Sequence, residues 1–327
     1  MRRLFALLVT ALFFMLPPVE ATTPAAFKQL RVGGAVVSLP ANWTTIGPEI
    51  PVWLHLHGAP AVMETNFAAI GAPGILVNLT LPGLSKVYAD HFTNPTAFAE
   101  LLREVEAVLR IEAPAQPWRL GRLTVSSFSA GFGGVRQLLR QPAAFDRIAA
   151  LVMADSIYCG YTGDGAARQV DAELMDGFLR FARLAAEGKK RLVISHSQQV
   201  PEGYASTTET ADYLIQKLLG ERVGETEDWP SGLRLLSKFS KSQCEILGFE
   251  GAGPGDHLRH LHSISVFLAR AIEPPTPSGA QTVAELRAQI EAHVTQPKFS
   301  SALWGVKVTS LDTGRTLCEH HADRLLS

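Results

Sequence analysis

Three side chains widely separated in the chain have the types and settings that acyl transfer needs. Ser129 lies in Leu123-Thr-Val-Ser-Ser127-Phe128-Ser129-Ala130-Gly131-Phe132-Gly133-Gly134, where an apolar strand pattern gives way to a helical one. A small-x-Ser-x-small sequence at that junction suits a turn so tight that its central residue takes strained dihedrals. The hydroxyl then stands clear of the sheet edge and the first helix amides face the reacting oxygen. Ser127 and Gly131 are the small neighbours, Ser127 standing where glycine is commoner. Ser126 and Ser127 are rivals by type but are not centred between small residues. They read as groups that satisfy backbone at the strand end.

A serine hydroxyl is a weak nucleophile until a base takes its proton. Phe249-Glu-Gly-Ala-Gly-Pro-Gly255-Asp256-His257 is a glycine-rich loop that delivers His257 just before an amphipathic helix. His260, one turn on, is the second candidate base, and His262 falls on another face. Asp256 can cap the helix instead of acting chemically. The acid is less sharply marked. Asp155 ends the strand after the Ser129 helix, in Leu151-Val-Met-Ala-Asp155, and Glu202 beyond the next strand is the alternative. Glu209 is accounted for by a capping box with Ser206. His196, at a strand end, is either a pocket residue or a packed one.

An oxyanion needs N–H donors aimed at it. The Ala130 amide is one. The strand Val52-Trp-Leu-His-Leu-His57 runs into Gly58-Ala59-Pro60, whose loop can supply another from Ala59, with Gly58 as the spare because proline has no N–H. His57 itself reads as a packed histidine that shapes this loop. The competing chemistry is metal-assisted hydrolysis, with His55, His57, His257, His260 and His262 as imidazole sources. No HExxH or Asp-His pattern accompanies them, so no metal or other cofactor is expected.

These residues need a sheet to bring them together. Val52–His57, Ile75–Leu79, Leu123–Ser127, Ile148–Ala154, Leu192–Ser195 and Glu245–Phe249 are short apolar runs without clean alternation, as in strands buried on both faces. Helical patterns fall near 96–111, 132–140, 169–187, 206–219 and 258–271. In the first, Phe98, Leu101, Leu102, Val105, Val108 and Leu109 keep the spacing of a buried stripe. The alternation predicts a mostly parallel α/β sandwich. A hairpin turning at Gly33-Gly34 is expected within 29–39. The 155–192 region and the Gly220–Ser242 segment with Trp229 are expected to roof the pocket.

The chain has 327 residues, 46% hydrophobic and 19% charged. Thirty Lys+Arg against 31 Asp+Glu give a net charge of -1 without a basic run, which argues against nucleic acid as a partner. Cys159, Cys244 and Cys318 form no CxxC pair. A Cys159–Cys244 bridge is left open by their spacing.

The opening MRRLFALLVTALFFMLPPVEA has a basic n-region at Arg2-Arg3, an apolar core at Leu4–Leu16 and a small-x-small site at Val19–Ala21. It reads as a signal peptide over 1–21, cleaved after Ala21, and the core is too short to span a bilayer. Export to the periplasm or medium is expected, with no integral membrane segment afterwards. The main domain runs over 22–272 and a Pro-rich linker over 273–281. A capping box at Thr282–Glu285 opens a helix, and Trp304–Leu311 and Thr316–His320 read as a hairpin. Those 46 residues, 282–327, are too few for a core of their own, so they are expected to be the start of something longer.

In the His57-Gly58 loop, the Ser129 elbow and His257 after the last strand, residues 29–272 resemble the α/β-hydrolase superfamily. The resemblance implies a mostly parallel α/β sheet with helices on both faces and a serine, acid, histidine order along the chain. This sequence departs from it at Ser127 and in an acid placed one strand early. The tail, from Val283-Ala-Glu-Leu through Asp312-Thr-Gly314 to Ser327, resembles the opening of class C penicillin-binding proteins, the D-alanyl-D-alanine carboxypeptidases. It contains none of that family's catalytic motifs. The expectation is an exported serine hydrolase acting on a small-molecule ester or related acyl bond. The alternatives are a non-catalytic hydrolase-like scaffold and the front part of a cell-envelope carboxypeptidase fusion with cell-wall association.

Overall fold

The computed structural model describes residues 27–272 together with 287–288, 290–291, 306–309 and 316–320. The expected leader, the Pro-rich linker and the capping box at 282–285 lie outside the described residues. The chain divides into two compact units, one ending at Ala271 and the other starting at Ile272.

In the first unit, β1 (Lys28–Val32) and β2 (Ala35–Leu39) form the expected antiparallel hairpin, with Gly33 at φ 53° in its turn. Then come β3 (Glu49–Leu56), α1 (Pro60–Ile70), β4 (Ile75–Leu79), α2 (Ser85–Thr93), α3 (Ala97–Glu112) and β5 (Arg119–Phe128). After the elbow follow α4 (Phe132–Arg140), α5 (Pro142–Arg147) and β6 (Ile148–Ala154). A small hairpin, β7 (Tyr161–Thr162) with β8 (Gln169–Val170), precedes α6 (Ala172–Ala186), β9 (Arg191–His196) and α7 (Thr207–Lys217). The unit closes with β10 (Val223–Trp229), β11 (Leu233–Lys241), β12 (Cys244–Phe249), α8 (Pro254–His262) and α9 (Ile264–Ala271).

Ten strands make one sheet in the order β1-β2-β4-β3-β5-β6-β9-β12-β11-β10. Its middle, from β4 to β12, is parallel, and the antiparallel strands lie at the two margins. Every residue of β4 is buried, as are six of the seven in β6. This double-sided burial by helices is why these strands read as unbroken apolar runs. The chain goes from β3 to β4 on one side and then crosses back to β5 on the other side of β3. The order therefore reverses between β3 and β5, and a crevice opens beyond their carboxyl ends. The expected mostly parallel α/β sheet with helices on both faces is the observed fold.

Three expectations change. The Gly220–Ser242 segment is no roof: it forms β10 and β11, which extend the sheet antiparallel from β12. Six of the seven β10 residues are exposed, so this edge strand needs no apolar pattern and carried none to be read. The helix expected over 258–271 is two helices that break at Ser263. In α3, Phe98, Leu101, Val105 and Leu109 are buried while Leu102 and Val108 are only partly covered.

In the second unit, β13 (Val306–Thr309) pairs antiparallel with β14 (Thr316–His320), the hairpin expected there. No helix among the described residues is long and apolar enough to cross a membrane.

Candidate active site

Parallel register sets the ends of β3, β5, β6 and β9 side by side. Leu56 is opposite Ser127, Phe128 opposite Ala154, and Ala154 opposite Ser195. The next residues along these strands are therefore His57, Ser129, Asp155 and Ser197, all at one edge.

Ser129 has φ 45°, in the left-handed region that non-glycine residues rarely take. The turn tightens because its neighbours lack bulk. A Cβ on Gly131 would fall 2.3 Å from the Leu56 carbonyl oxygen and 2.9 Å from the Ser127 Cβ. A Cβ on Gly133 would fall 2.0 Å from the Ser85 carbonyl oxygen. Ser126 and Ser127 are buried: Ser126 Oγ bonds His55 Nδ1 at 2.8 Å and Ser127 Oγ bonds Ser156 Oγ at 2.7 Å. Ser156 Oγ in turn donates to the Ser129 carbonyl at 2.9 Å, tying the elbow to the end of β6.

His257 lies inside the first turn of α8 rather than ahead of the helix. The Asp256 carboxylate accepts from the Gly253 N–H at 3.0 Å, so the helix starts earlier than its apolar residues suggested. His257 Nε2 is 2.8 Å from Ser129 Oγ, and Nδ1 is 2.7 Å from Asp155 Oδ2. An ionised carboxylate only accepts, so Nδ1 carries the proton and Nε2 is left to accept from the serine. The ring stacks on Phe128, centroids 4.6 Å apart.

Asp155 is fully buried, and its φ of 43° is also left-handed. Its Oδ1 accepts from the Ser197 N–H at 2.9 Å and from the Thr207 hydroxyl. Burial alone would push this carboxyl up. The His257 hydrogen bond, the nearby His260 and His257 imidazoles and Thr207 outweigh it and hold Asp155 well below the usual carboxylate range.

The two alternatives sit elsewhere. His260 is buried, with Nδ1 2.8 Å from Ser195 Oγ and its ring against Phe249 and Phe267. Burial pushes it down to about 4. Glu202 is exposed and joins none of these hydrogen bonds. Glu209 forms its expected capping box with Ser206. His196 is buried away from the cavity, Nε2 facing Arg222 at 2.6 Å, and burial followed by that cation pushes it down to about 4.

Ala130 lines the cavity in front of Ser129, but Ala59 does not. Ala59 is exposed, and its carbonyl is spent on α1, accepting from Val62 and Met63. The Pro60 that removes an N–H also starts the helix and turns the loop outward. Gly58 is buried, its carbonyl held by Asn78 Nδ2 at 2.8 Å. His57 packs as expected: Nδ1 meets the Tyr88 hydroxyl at 3.0 Å and its ring stacks on Phe128. Among the described residues, no three His, Cys, Asp or Glu side chains converge as metal ligands. Cys159 and Cys244 are buried free thiols.

Sequence reasoning missed the use of Ala205–Thr210. Thr207 holds Asp155. Thr208 Oγ1 reaches His196 and the Ser197 carbonyl, Thr210 Oγ1 donates to the Ile157 carbonyl, and Ala205 bridges Cys159. A hydroxyl-rich helix start is the only local signal, and it is shared with ordinary N-caps. The cavity over Ser129 has a volume of about 450 Å³, with Phe132, Arg136, Tyr158 and Cys159 in its wall.

No family model and no curated protein matches this chain. Solved structures do. The feruloyl esterase module from Clostridium thermocellum is 12% identical, with TM-score 0.40 over 76% of this chain and 89% of that one. A cold-adapted esterase from an Arctic intertidal metagenomic library is 15% identical, with TM-score 0.38 over 76% and 93%. Pyrococcus horikoshii acylaminoacyl peptidase is 14% identical, with TM-score 0.43 over 76% of this chain and 41% of that one.

Proposed function

We propose that the chain is a serine hydrolase that cleaves an ester or related acyl bond through an acyl-enzyme. The observation that carries this reading is the continuous relay Asp155–His257–Ser129, with spacings of 2.7 and 2.8 Å, at the foot of a cavity. His257 Nε2 takes the Ser129 proton as Oγ attacks the carbonyl carbon, and the buried Asp155 carboxylate stabilises the imidazolium that forms. The carbonyl pair moves onto oxygen, facing the Ala130 N–H, a donor of the kind worth about 3 kcal/mol of barrier. The imidazolium returns its proton to the leaving group as the tetrahedral centre collapses. Water, deprotonated by the same imidazole, then releases the acid and frees Ser129.

Two measurements test the reading. A fluorophosphonate probe is expected to label Ser129, and turnover of a short-chain chromogenic ester is expected to collapse in Ser129→Ala. Undiminished turnover in that variant sinks the proposal, and failure to label favours a non-catalytic scaffold. Export belongs to the same proposal on the pattern of the leader alone, and N-terminal sequencing of secreted protein checks it.

A further inference from the structure

Arg136 lies on α4, the helix that the elbow starts, and lines the same cavity as Ser129. One guanidinium nitrogen donates to the Tyr158 carbonyl, and the group lies over the Phe132 ring at 4.9 Å. Its Nε is buried with no hydrogen-bond partner. No carboxylate pairs with it among the described residues. Asp171, the acid that it feels, spends Oδ1 on the Glu173 and Leu174 amides as the cap of α6. Burial lowers the guanidinium's affinity for its proton and Arg140 adds to that, outweighing Cys159 and Asp171, which act the other way without either forming an ion pair with it.

We infer that the cavity accepts a substrate bearing a carboxylate or comparable anion, gripped by Arg136 while Ser129 attacks the ester. The spacing is suitable. Arg136 follows Ser129 by seven residues, about 10 Å of helix rise, and its position over Phe132 turns it back toward the elbow. That backward reach of the side chain shortens the separation to the scale of a short dicarboxylic half-ester. The anion can sit on the acyl side or on the leaving group. The ester part of the inference rests on the hydrolase reading above, whereas the anion site rests on Arg136.

The test compares kcat/KM for mono-4-nitrophenyl glutarate with that for its uncharged methyl ester, and 4-acetoxybenzoate with phenyl acetate. The wild-type chain is expected to favour the charged member of at least one pair, identifying the side on which the anion lies. In Arg136→Met that charged-to-neutral ratio is expected to fall roughly 10- to 100-fold, the range of a charge-assisted hydrogen bond, with part of it kept in Arg136→Lys. A wild type without preference in either pair, or a ratio that survives Arg136→Met, overturns the inference. Because that variant could fail to fold, the wild-type preference is itself decisive. Binding is read separately: glutarate should raise the Tm of Ser129→Ala but not of Ser129→Ala with Arg136→Met. If no ester is cleaved while glutarate still acts through Arg136, the anion site stands and the hydrolase reading falls. Cleavage without preference or Tm shift has the opposite meaning.

Discussion

Acidification should unfold this protein through histidines that take no part in its proposed chemistry. His55, on β3 and bonded to Ser126 of β5, is fully buried, and burial pushes it down to about 3; His196 and His260 are pushed down to about 4. All three titrate near 6.5 once the chain unfolds. The unfolded state therefore binds more protons between pH 6.5 and 4, and stability rises with pH there. It is intact above the unfolded value and is lost as pH falls toward the folded ones. At pH 5 the folded imidazoles hold few protons, so the cost is set almost wholly by the affinity of the unfolded chain. Going from pH 7 to pH 5 costs about 1.8 kcal/mol per histidine, or about 5 kcal/mol together, which is comparable to the whole stability of many domains. Asp155 adds nothing in this window, because its carboxyl is held low and stays ionised. Urea unfolding at pH 7, 6 and 5, with proton uptake measured alongside, is the assay. His260→Gln should cut the pH slope by up to about a third, whatever it does to stability at pH 7, since burial also lowers His57 and His91. A midpoint that stays level from pH 7 to 5, or an uptake well below three protons, would refute the reasoning.

Other perturbations separate support from chemistry. Asp155→Asn removes the acceptor that keeps the proton on His257 Nδ1, and ester kcat should fall roughly 10³–10⁴-fold with KM little changed. Thr207→Val keeps the shape but takes one donor from a buried carboxylate; urea melts should show a loss of about 2 kcal/mol, and kcat should fall far less than in Asp155→Asn. Gly131→Ala drives a methyl group into the Leu56 carbonyl. The clash should cost about 1–3 kcal/mol, and the shifted elbow should lower kcat beyond the drop in Tm.

How much of this was legible in the sequence depended on whether a residue's partners were local. The β4 and β6 boundaries were readable to the residue because those strands are covered on both faces and end at polar residues. The tight turn at Ser129 was readable because its needs, Ser127 and Gly131, lie two positions away. The strands β10 and β11 were not, since an exposed edge strand obeys no apolar period. Ala59 was misplaced for a related reason. The same Pro60 that pointed to Ala59 as a donor opens a helix that turns it to solvent, and only the sheet decides which consequence matters.

The acid makes the point most sharply. In the sequence, Asp155 was preferred because it ends the strand after the Ser129 helix, while the loop after the next strand offers no aspartate, only Glu202. What distinguishes them is burial with partners. Asp155 collects Ser197 N–H, Thr207 hydroxyl and His257 Nδ1, contributed by segments 42, 52 and 102 residues away. A carboxylate can remain ionised at zero exposure only where such donors converge. Glu202 has no such set and stays in water. The place of Asp155 one strand early suits those donors, because β9 neighbours β6 and α7 begins beside both, so they arrive from the next strand and the next helix.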